Sequence, residues 1–599
     1  MHPHLRQLRD ALAAEDAWQR DDLERARAAS LEDQVALGVA WPRCTVASDE
    51  PAGRGRSEWV VRAPRGVALH DGIDVGAPVD VEADGHVWVG RVVGRDERTA
   101  SIRVDSDDEA PTEVLVAKRH DASAMRLLRD VLAGVPEEVG GVAAVLLGAE
   151  PTHEEDAGRA GGLALDPSQE AAVTHALGAQ DVALIHGPPG TGKTRTLAAL
   201  LAELVARGER PWALADSNAA ADNLALRAAS NGLRVVRVGL TARMRGGAAD
   251  LSLDAAIRRH PLWPAVARID RELSRLRSYR SPGGRQQIRE LYRERRDLVD
   301  QARASVLEGA QVLAMTLGTL LRRAERLPPA RTAVVDEATQ AIEPSVWAVV
   351  PWVERLVLVG DPHQLGPVVF QPGNPLARGL LQRLVEEGMP APMLQTQYRM
   401  HADIAEMVGE VYGPAYVPDA SVAGHRLVDL PGVAEGPWTT APLTFVDTAG
   451  AGLDEALDAR SGSRFNAGEA EVVRQVVAAW RQAGVAPEQI GVVTPYRAQV
   501  ARLAALPELA GVEVDTVNAF QGREKEALIV SFVRSNPDGE VGFVSDRRRL
   551  TVALTRGRRA WVGVGDSATL ASAPGVDDMV TMVEAAGGLQ SVWEWDLDR

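Results

Sequence analysis

The chain has 599 residues, enough for several domains with large cores, and its hydrophobic content of 45% is ordinary for a soluble protein. A net charge of −17 excludes a generally basic nucleic-acid coat but leaves room for a local basic channel. Cys44 is the only cysteine, which excludes disulfides and cysteine-based zinc sites; no apolar run approaches a membrane span, and Met1-His-Pro-His-Leu-Arg lacks a signal-peptide core, so a cytoplasmic protein is expected.

Residues 1–34 read as a charged helix with Leu5, Leu8 and Leu12 on one side, too polar to stand alone and expected to act as a strut. From 35 to 120 the pattern changes to period two. Residues 79–93 are two alternating strands around Asp84-Gly85, and 101–105 and 113–117 continue the alternation, as in a small antiparallel barrel. Within 121–162, Met125, Leu128, Val131 and Leu132 mark a returning helix, so the barrel is expected on a helical stalk, followed by a linker. From 163 to 393 apolar runs at 182–185, 332–335 and 356–359 alternate with helices, the signature of a parallel sheet. An insert over 240–310 reads as a helical hairpin, with Ile269, Leu273 and Leu276 on one helix and Ile288, Leu291, Leu298 and Val306 on the other. Ser281-Pro-Gly-Gly284 is the expected turn. Between Ile257 and Arg303 thirteen arginines face six acids, either a solvated surface of i,i+4 ion pairs or a face for a phosphate backbone. A second α/β unit is expected over 394–599, with strands at 443–447, 490–494, 512–515, 527–533 and 560–565 and a flexible loop at 448–466.

The chemistry centres on Gly187-Pro-Pro-Gly-Thr-Gly-Lys-Thr194, between the apolar run 182–186 and a helix carrying Leu197, Leu200, Leu201 and Leu204. This strand–loop–helix order turns backbone N–H groups and a helix N-terminus toward a triphosphate. Gly187, Gly190 and Gly192 let the backbone, with Thr191 among them, curl around the phosphates, Lys193 reaches the β and γ oxygens, and Thr194 offers a hydroxyl to Mg²⁺. All but three of the 66 basic residues are arginine, so the lysine here resists the chain's own bias. After the strand at 332–335, Asp336 is placed to hold Mg²⁺ and Glu337 to deprotonate an attacking water. Gln364, in Gly360-Asp-Pro-His-Gln-Leu-Gly366, can sense a γ-phosphate or its water, although composition alone would also allow a Gly/Pro-rich turn. Gln169 can pair with the N6/N7 edge of adenine, although a lone glutamine is usually a surface residue.

These motifs occur in register with Gln397-Tyr-Arg-Met-His401, the run Val514–Lys525 and Val552–Arg558. In that order the chain resembles a superfamily 1 helicase of the 5′→3′ class, similar to the nonsense-mediated-decay and immunoglobulin mu-binding helicases. The resemblance implies an α/β fold of two tandem RecA-like P-loop domains, with an inserted helical hairpin and an N-terminal β-barrel on a helical stalk. It implies ATP and Mg²⁺, with Tyr398 stacking on adenine, Arg399 and Arg556 on the γ-phosphate and Glu524 near the ribose. It also implies single-strand contacts at Ser217, Asn218, Thr316, Pro495, Tyr496, Asp515 and Thr516, without base reading.

Asp216 stands where the family usually has proline, and its carboxylate either weakens phosphate contact or points away. No Cys/His-rich module is present, so the family's zinc-bound partner domain is not carried over. The expectation is a monomeric ATP-dependent 5′→3′ helicase or translocase on single-stranded nucleic acid, DNA slightly favoured over RNA. The rivals are a remodeller with little unwinding and a binding clamp with vestigial ATPase.

Overall fold

The computed structural model describes residues 1–52, 55–69, 72–106, 108–155, 164–278, 284–459, 461–573 and 575–595. The tip of the expected turn at 281–284 and most of the expected linker before 163 lie outside them.

Six strands close an antiparallel barrel in the order β1-β2-β5-β4-β3-β6: β1 (Cys44–Pro51), β2 (Ser57–Arg62), β3 (Pro78–Ala83), β4 (His86–Arg95), β5 (Thr99–Val104) and β6 (Glu113–Lys118). Alternation decides which side chains enter: Trp59 and Val61 of β2 and Val79 and Val81 of β3 are buried. The β3–β4 turn carries Asp84 and Gly85 at φ +49° and +79°, the paired left-handed conformation that a two-residue hairpin needs.

The barrel is tied to the rest of the chain by the helix Pro3–Arg27, which packs along the helix Ser123–Gly134. Leu5, Leu8 and Leu12 join Leu128 and Leu132 in one core with the first parallel sheet. At one end His4 meets Glu343 at 2.8 Å, and Arg383 holds the same carboxylate at 3.0 Å. At the other end Arg27 pairs with Asp80 and Glu82 of β3.

The first parallel sheet has the order β7-β12-β11-β8-β10-β9. Its strands are β7 (Val182–His186), β8 (Trp212–Ala215), β9 (Val235–Arg237), β10 (Val312–Thr316), β11 (Thr332–Asp336) and β12 (Arg355–Gly360). Helices cover both faces, which is why these strands read as unbroken apolar runs. β8 and β9 escape the sequence reading because they are only four and three residues long, and β10, five residues like β7, escapes it as well. Between β9 and β10 the helices Trp263–Ser278 and Gly284–Gly309 lie against one another, with Arg295 on Asp270 at 2.5 Å.

Beyond residue 394, β13 (Thr396–Gln397) and β14 (Val417–Pro418) form a short ribbon. The second sheet runs β19-β18-β20-β21-β15-β22, all parallel. Its members are β15 (Leu443–Asp447), β18 (Ile490–Thr494), β19 (Glu513–Thr516), β20 (Lys525–Ser531), β21 (Gly557–Gly565) and β22 (Leu589–Ser591). The segment 448–466, expected as a flexible loop, contains the ribbon β16 (Ala456–Leu457) with β17 (Arg464–Phe465), and Glu455 there pairs with buried Arg534 at 2.6 Å.

Candidate nucleotide cleft and strand groove

β7 delivers the phosphate loop and the helix Lys193–Ala206 leaves it. Gly190 and Gly192 have φ +74° and +77°, which a side chain would oppose. The helix begins at Gly192 with no side-chain cap, so its first N–H groups are free for an anion. Lys193 folds back over Gly187, where a Cβ would meet its Cγ at 2.2 Å, and its Nζ donates to the Gly187 carbonyl at 2.8 Å. Thr194 is the second residue of that helix.

Across the cleft, β11 ends at Asp336, buried to 3% exposure. Burial and the neighbouring Glu337 charge push its carboxyl up to about 7, against the pull of Lys193. Glu337 sits at φ +51°, a strained conformation for a residue with a Cβ. A buried aspartate with a half-buried glutamate beside it at a strand end, opposed by one lysine, suits a hard cation that takes its other ligands from phosphate and water. Among the described residues no cluster of three His, Cys, Asp or Glu forms a self-sufficient metal cage.

Gln364 follows β12 and is wholly committed. Its Nε2 donates to Asp361 at 2.6 Å and its Oε1 accepts from Arg556 Nη2 at 2.9 Å. Asp361 also accepts from Tyr412 Oη at 2.7 Å and the His363 N–H at 3.1 Å, and it faces His186 Nε2 at 3.2 Å. These hydrogen bonds and the His186 and Lys193 charges outweigh burial and hold the Asp361 carboxyl below its usual range. Arg556 comes from just before β21, so the Gln364–Arg556 bond joins the two α/β units. Desolvation in this buried position, with Arg399 nearby, lowers the Arg556 guanidinium to about 10. Arg399 lies on Glu524 at 2.5 Å and donates to the Thr555 carbonyl at 3.1 Å. Tyr398 donates its N–H to the Gly190 carbonyl at 2.8 Å and its hydroxyl to Asp166 at 3.0 Å, placing the ring beside the loop.

Gln169 departs from expectation. Its side chain is fully buried, Nε2 donates to the Thr191 carbonyl at 2.9 Å, and Oε1 accepts from the Asp166 N–H at 3.4 Å. A Cβ on Gly192 would meet that amide nitrogen at 2.8 Å. In this structure Gln169 braces the phosphate loop, with one hydrogen bond at each end of its amide.

A second cavity, of about 1080 Å³, opens over the C-terminal ends of β8 and β10, between the barrel and both sheets. Parallel α/β sheets bind ligands at such ends. Asn218 and Thr316 line it. Ser217 and Thr316 each cap a following helix, their hydroxyls accepting from the N–H of Ala220 at 3.1 Å and of Thr319 at 3.2 Å. Asp216 is exposed and lines the same cavity. Six arginines (91, 243, 322, 323, 548 and 549) face three aspartates (121, 216 and 546) in this lining.

From the second sheet the groove receives Asn518, Gln521, Arg548 and Arg549, which sequence reading missed, whereas Pro495, Tyr496, Asp515 and Thr516 are outside its lining. Asp515 accepts the Thr516 N–H at 2.8 Å, and Thr516 accepts from Ala519 at 3.4 Å, closing a turn at the end of β19. Tyr496 needs the clearest correction. Its ring is buried and its hydroxyl accepts from Arg534 at 3.4 Å; the exposed aromatic beside it is Phe543, 54% exposed and capped by Arg549. The apolar pattern around Phe543 gave no signal that one aromatic is inside and its neighbour outside.

A phosphate cradle in one α/β unit, answered by arginines from a second, defines a two-domain nucleoside-triphosphatase. Two AAA domain models match residues 164–372 and 376–568. The chain is 38% identical over 455 residues to the DNA-binding protein SMUBP-2 of Mesocricetus auratus, covering 72% of this chain and 46% of that protein. It is 35% identical to the DNA polymerase alpha-associated DNA helicase A of Schizosaccharomyces pombe, covering 68% and 64%. It is also 35% identical to the ATP-dependent helicase upf1 of the same yeast, covering 68% and 45%. The chain belongs to the superfamily 1 helicases. It spans about half the length of the first of these relatives.

Proposed function

We propose that the chain is an ATP-dependent 5′→3′ helicase on single-stranded nucleic acid, built of two RecA-like domains, 163–393 and 394–599. In this reading the helices at 3–27 and 123–134 are the stalk of the barrel and those at 263–309 an inserted hairpin. The carrying observation is the Gln364–Arg556 hydrogen bond: a group suited to sensing γ-phosphate in one unit holds an arginine of the other. The relatives, whose names include helicases and a DNA-binding protein, support the same reading.

Lys193 and the loop N–H groups would bind the triphosphate, with Tyr398 beside the base and Glu524 near the ribose. Thr194 and Asp336 would hold Mg²⁺, which would neutralise charge on the β and γ oxygens. Glu337 would take a proton from water, whose oxygen attacks the γ-phosphorus as the bond to the β-phosphate oxygen breaks. Arg399 and Arg556 would move from Glu524 and Gln364 onto the γ oxygens, and that transfer draws the units together. Arginines in this role elsewhere are worth about 10³–10⁵ in rate. Closure of the cleft shifts Arg548 and Arg549 relative to Asn218 and Thr316 along the groove. Hydroxyls, amides and arginines of this lining suit a backbone rather than base edges, as stepping along any sequence requires.

Strand displacement on DNA and RNA duplexes with 5′ or 3′ overhangs tests this. Unwinding from the 5′ overhang is expected, more readily on DNA. Unwinding only from the 3′ overhang overturns the polarity. ATP-driven displacement of a bound protein without strand separation establishes the remodeller instead.

A further inference from the structure

We infer that Arg237 is a positioning residue for the strand groove: it takes the side-chain oxygen of Asn218 and so turns that amide's NH₂ toward the strand. This rests on reading the cavity as a strand groove. Arg237 ends β9 and is fully buried. Its Nε donates to Asp222 Oδ1 at 2.8 Å, its Nη1 to the Val238 carbonyl at 2.7 Å and its Nη2 to Asn218 Oδ1 at 3.1 Å. The other Asp222 oxygen accepts the Arg245 N–H at 3.0 Å, so the ion pair is held from both sides.

A guanidinium has only donors, so the Asn218 atom that faces it is the acceptor oxygen. The network thereby settles which way the amide points. Its Nδ2 has no hydrogen-bond partner among the described residues, and Asn218 lines the cavity. With NH₂ outward the amide can donate to phosphate oxygens but cannot accept from a base. Arg237 and Asp222 cancel one another's charge, so the pair contributes a directed hydrogen bond rather than a field over the groove. This separates Asn218 from Arg323 and Arg548, whose contribution is charge.

The deciding variant is Asn218→Asp. One carboxylate oxygen can still accept from Arg237, more strongly for being charged, while the other puts negative charge where a phosphate would sit. The melting temperature is expected at or above that of the wild type, while the Kd for a fluorescent oligothymidylate rises on the order of ten- to a hundredfold. A loss of packing alone would move both readouts in the unfavourable direction. Arg237→Lys is expected to weaken binding by itself and to add nothing in an Asn218→Ala background, because the two act as a unit. Should the lysine variant not fold, Asn218→Asp alone decides. Wild-type affinity for Asn218→Asp, or additive losses for Arg237→Lys and Asn218→Ala, overturns the inference. Thr316→Val and Arg548→Ala are the controls. If they weaken binding and Asn218→Asp does not, this inference fails alone; if none of the three does, the groove reading fails with it.

Discussion

The nucleotide cleft and the strand groove are both lined by cations from two α/β units, but they keep those cations differently. In the cleft each has a protein partner: Lys193 the Gly187 carbonyl, Arg399 Glu524, and Arg556 Gln364. The six groove arginines are mixed: among the described residues the Arg323 and Arg548 side chains make no hydrogen bond or ion pair and Arg322 reaches only the Gly318 carbonyl, whereas Arg91 pairs with Asp121 at 3.4 Å, Arg549 with Asp546 at 3.7 Å, and Arg243 donates to the Val75 carbonyl at 2.7 Å. The difference teaches what each site must do. Under the proposed mechanism a catalytic arginine left unpaired in a buried cleft would be costly, so it is held on groups that a γ-phosphate could replace, and binding would become an exchange that moves domains. Under the same reading the unpaired groove arginines stay solvated at little cost and would supply attraction that ignores sequence.

Four measurements would break or sharpen that contrast. Replacing Arg556 with alanine should have the largest effect, lowering strand-stimulated ATP turnover by about 10³–10⁵ while nucleotide affinity falls far less. Equal losses in affinity and turnover would mean that the arginine binds the ground state and is not exchanged onto the transition state. Lys193→Ala should lower turnover by at least about 10²-fold, as loss of a preorganised charge donor does, with little change in melting temperature because only one carbonyl contact is lost. Undiminished strand-stimulated hydrolysis by that variant would remove the cleft assignment.

The third measurement uses pH. The Asp336 carboxyl is raised to about 7, so below that pH it carries a proton that must leave before a cation binds. Mg²⁺-dependent binding of a fluorescent ATP analogue should therefore weaken by up to about tenfold per pH unit below 7 and level off above it. Raised above its unfolded value, this group costs stability as pH rises from about 4 to 7, with the full cost present above 7. Because the Glu337 charge is one cause of the shift, Glu337→Gln should move the binding midpoint to lower pH. An unmoved midpoint would assign the titration to another group.

The smallest effect concerns Gln169. If it braces the loop, Gln169→Ala should weaken ATP and GTP use alike, by about fivefold, the worth of one hydrogen bond. A loss confined to ATP would show that the amide leaves Thr191 to read adenine.

Much of the cleft was legible because its chemistry is local: a glycine loop between strand and helix, and acids or glutamine just past buried strands, keep their spacing whatever surrounds them. Less of the groove could be read. Its lining comes from the barrel, from helices far apart in sequence and from both sheets, and a motif does not say which side of a strand end meets solvent. Tyr496 shows this, adjacent to a strand end as expected yet turned inward onto Arg534. Gln169 shows it again, in the expected place with its amide already engaged. Sequence alone determined the phosphate loop, the order of the motifs and the alternating barrel strands, because backbone conformation and side-chain period are set within a few residues. Only the tertiary structure decided that Gln364 meets Arg556, that Arg237 meets the Asn218 amide, and that Arg548 and Thr316 line one cavity. Those pairings depend on how distant strands and helices pack, which no local pattern encodes.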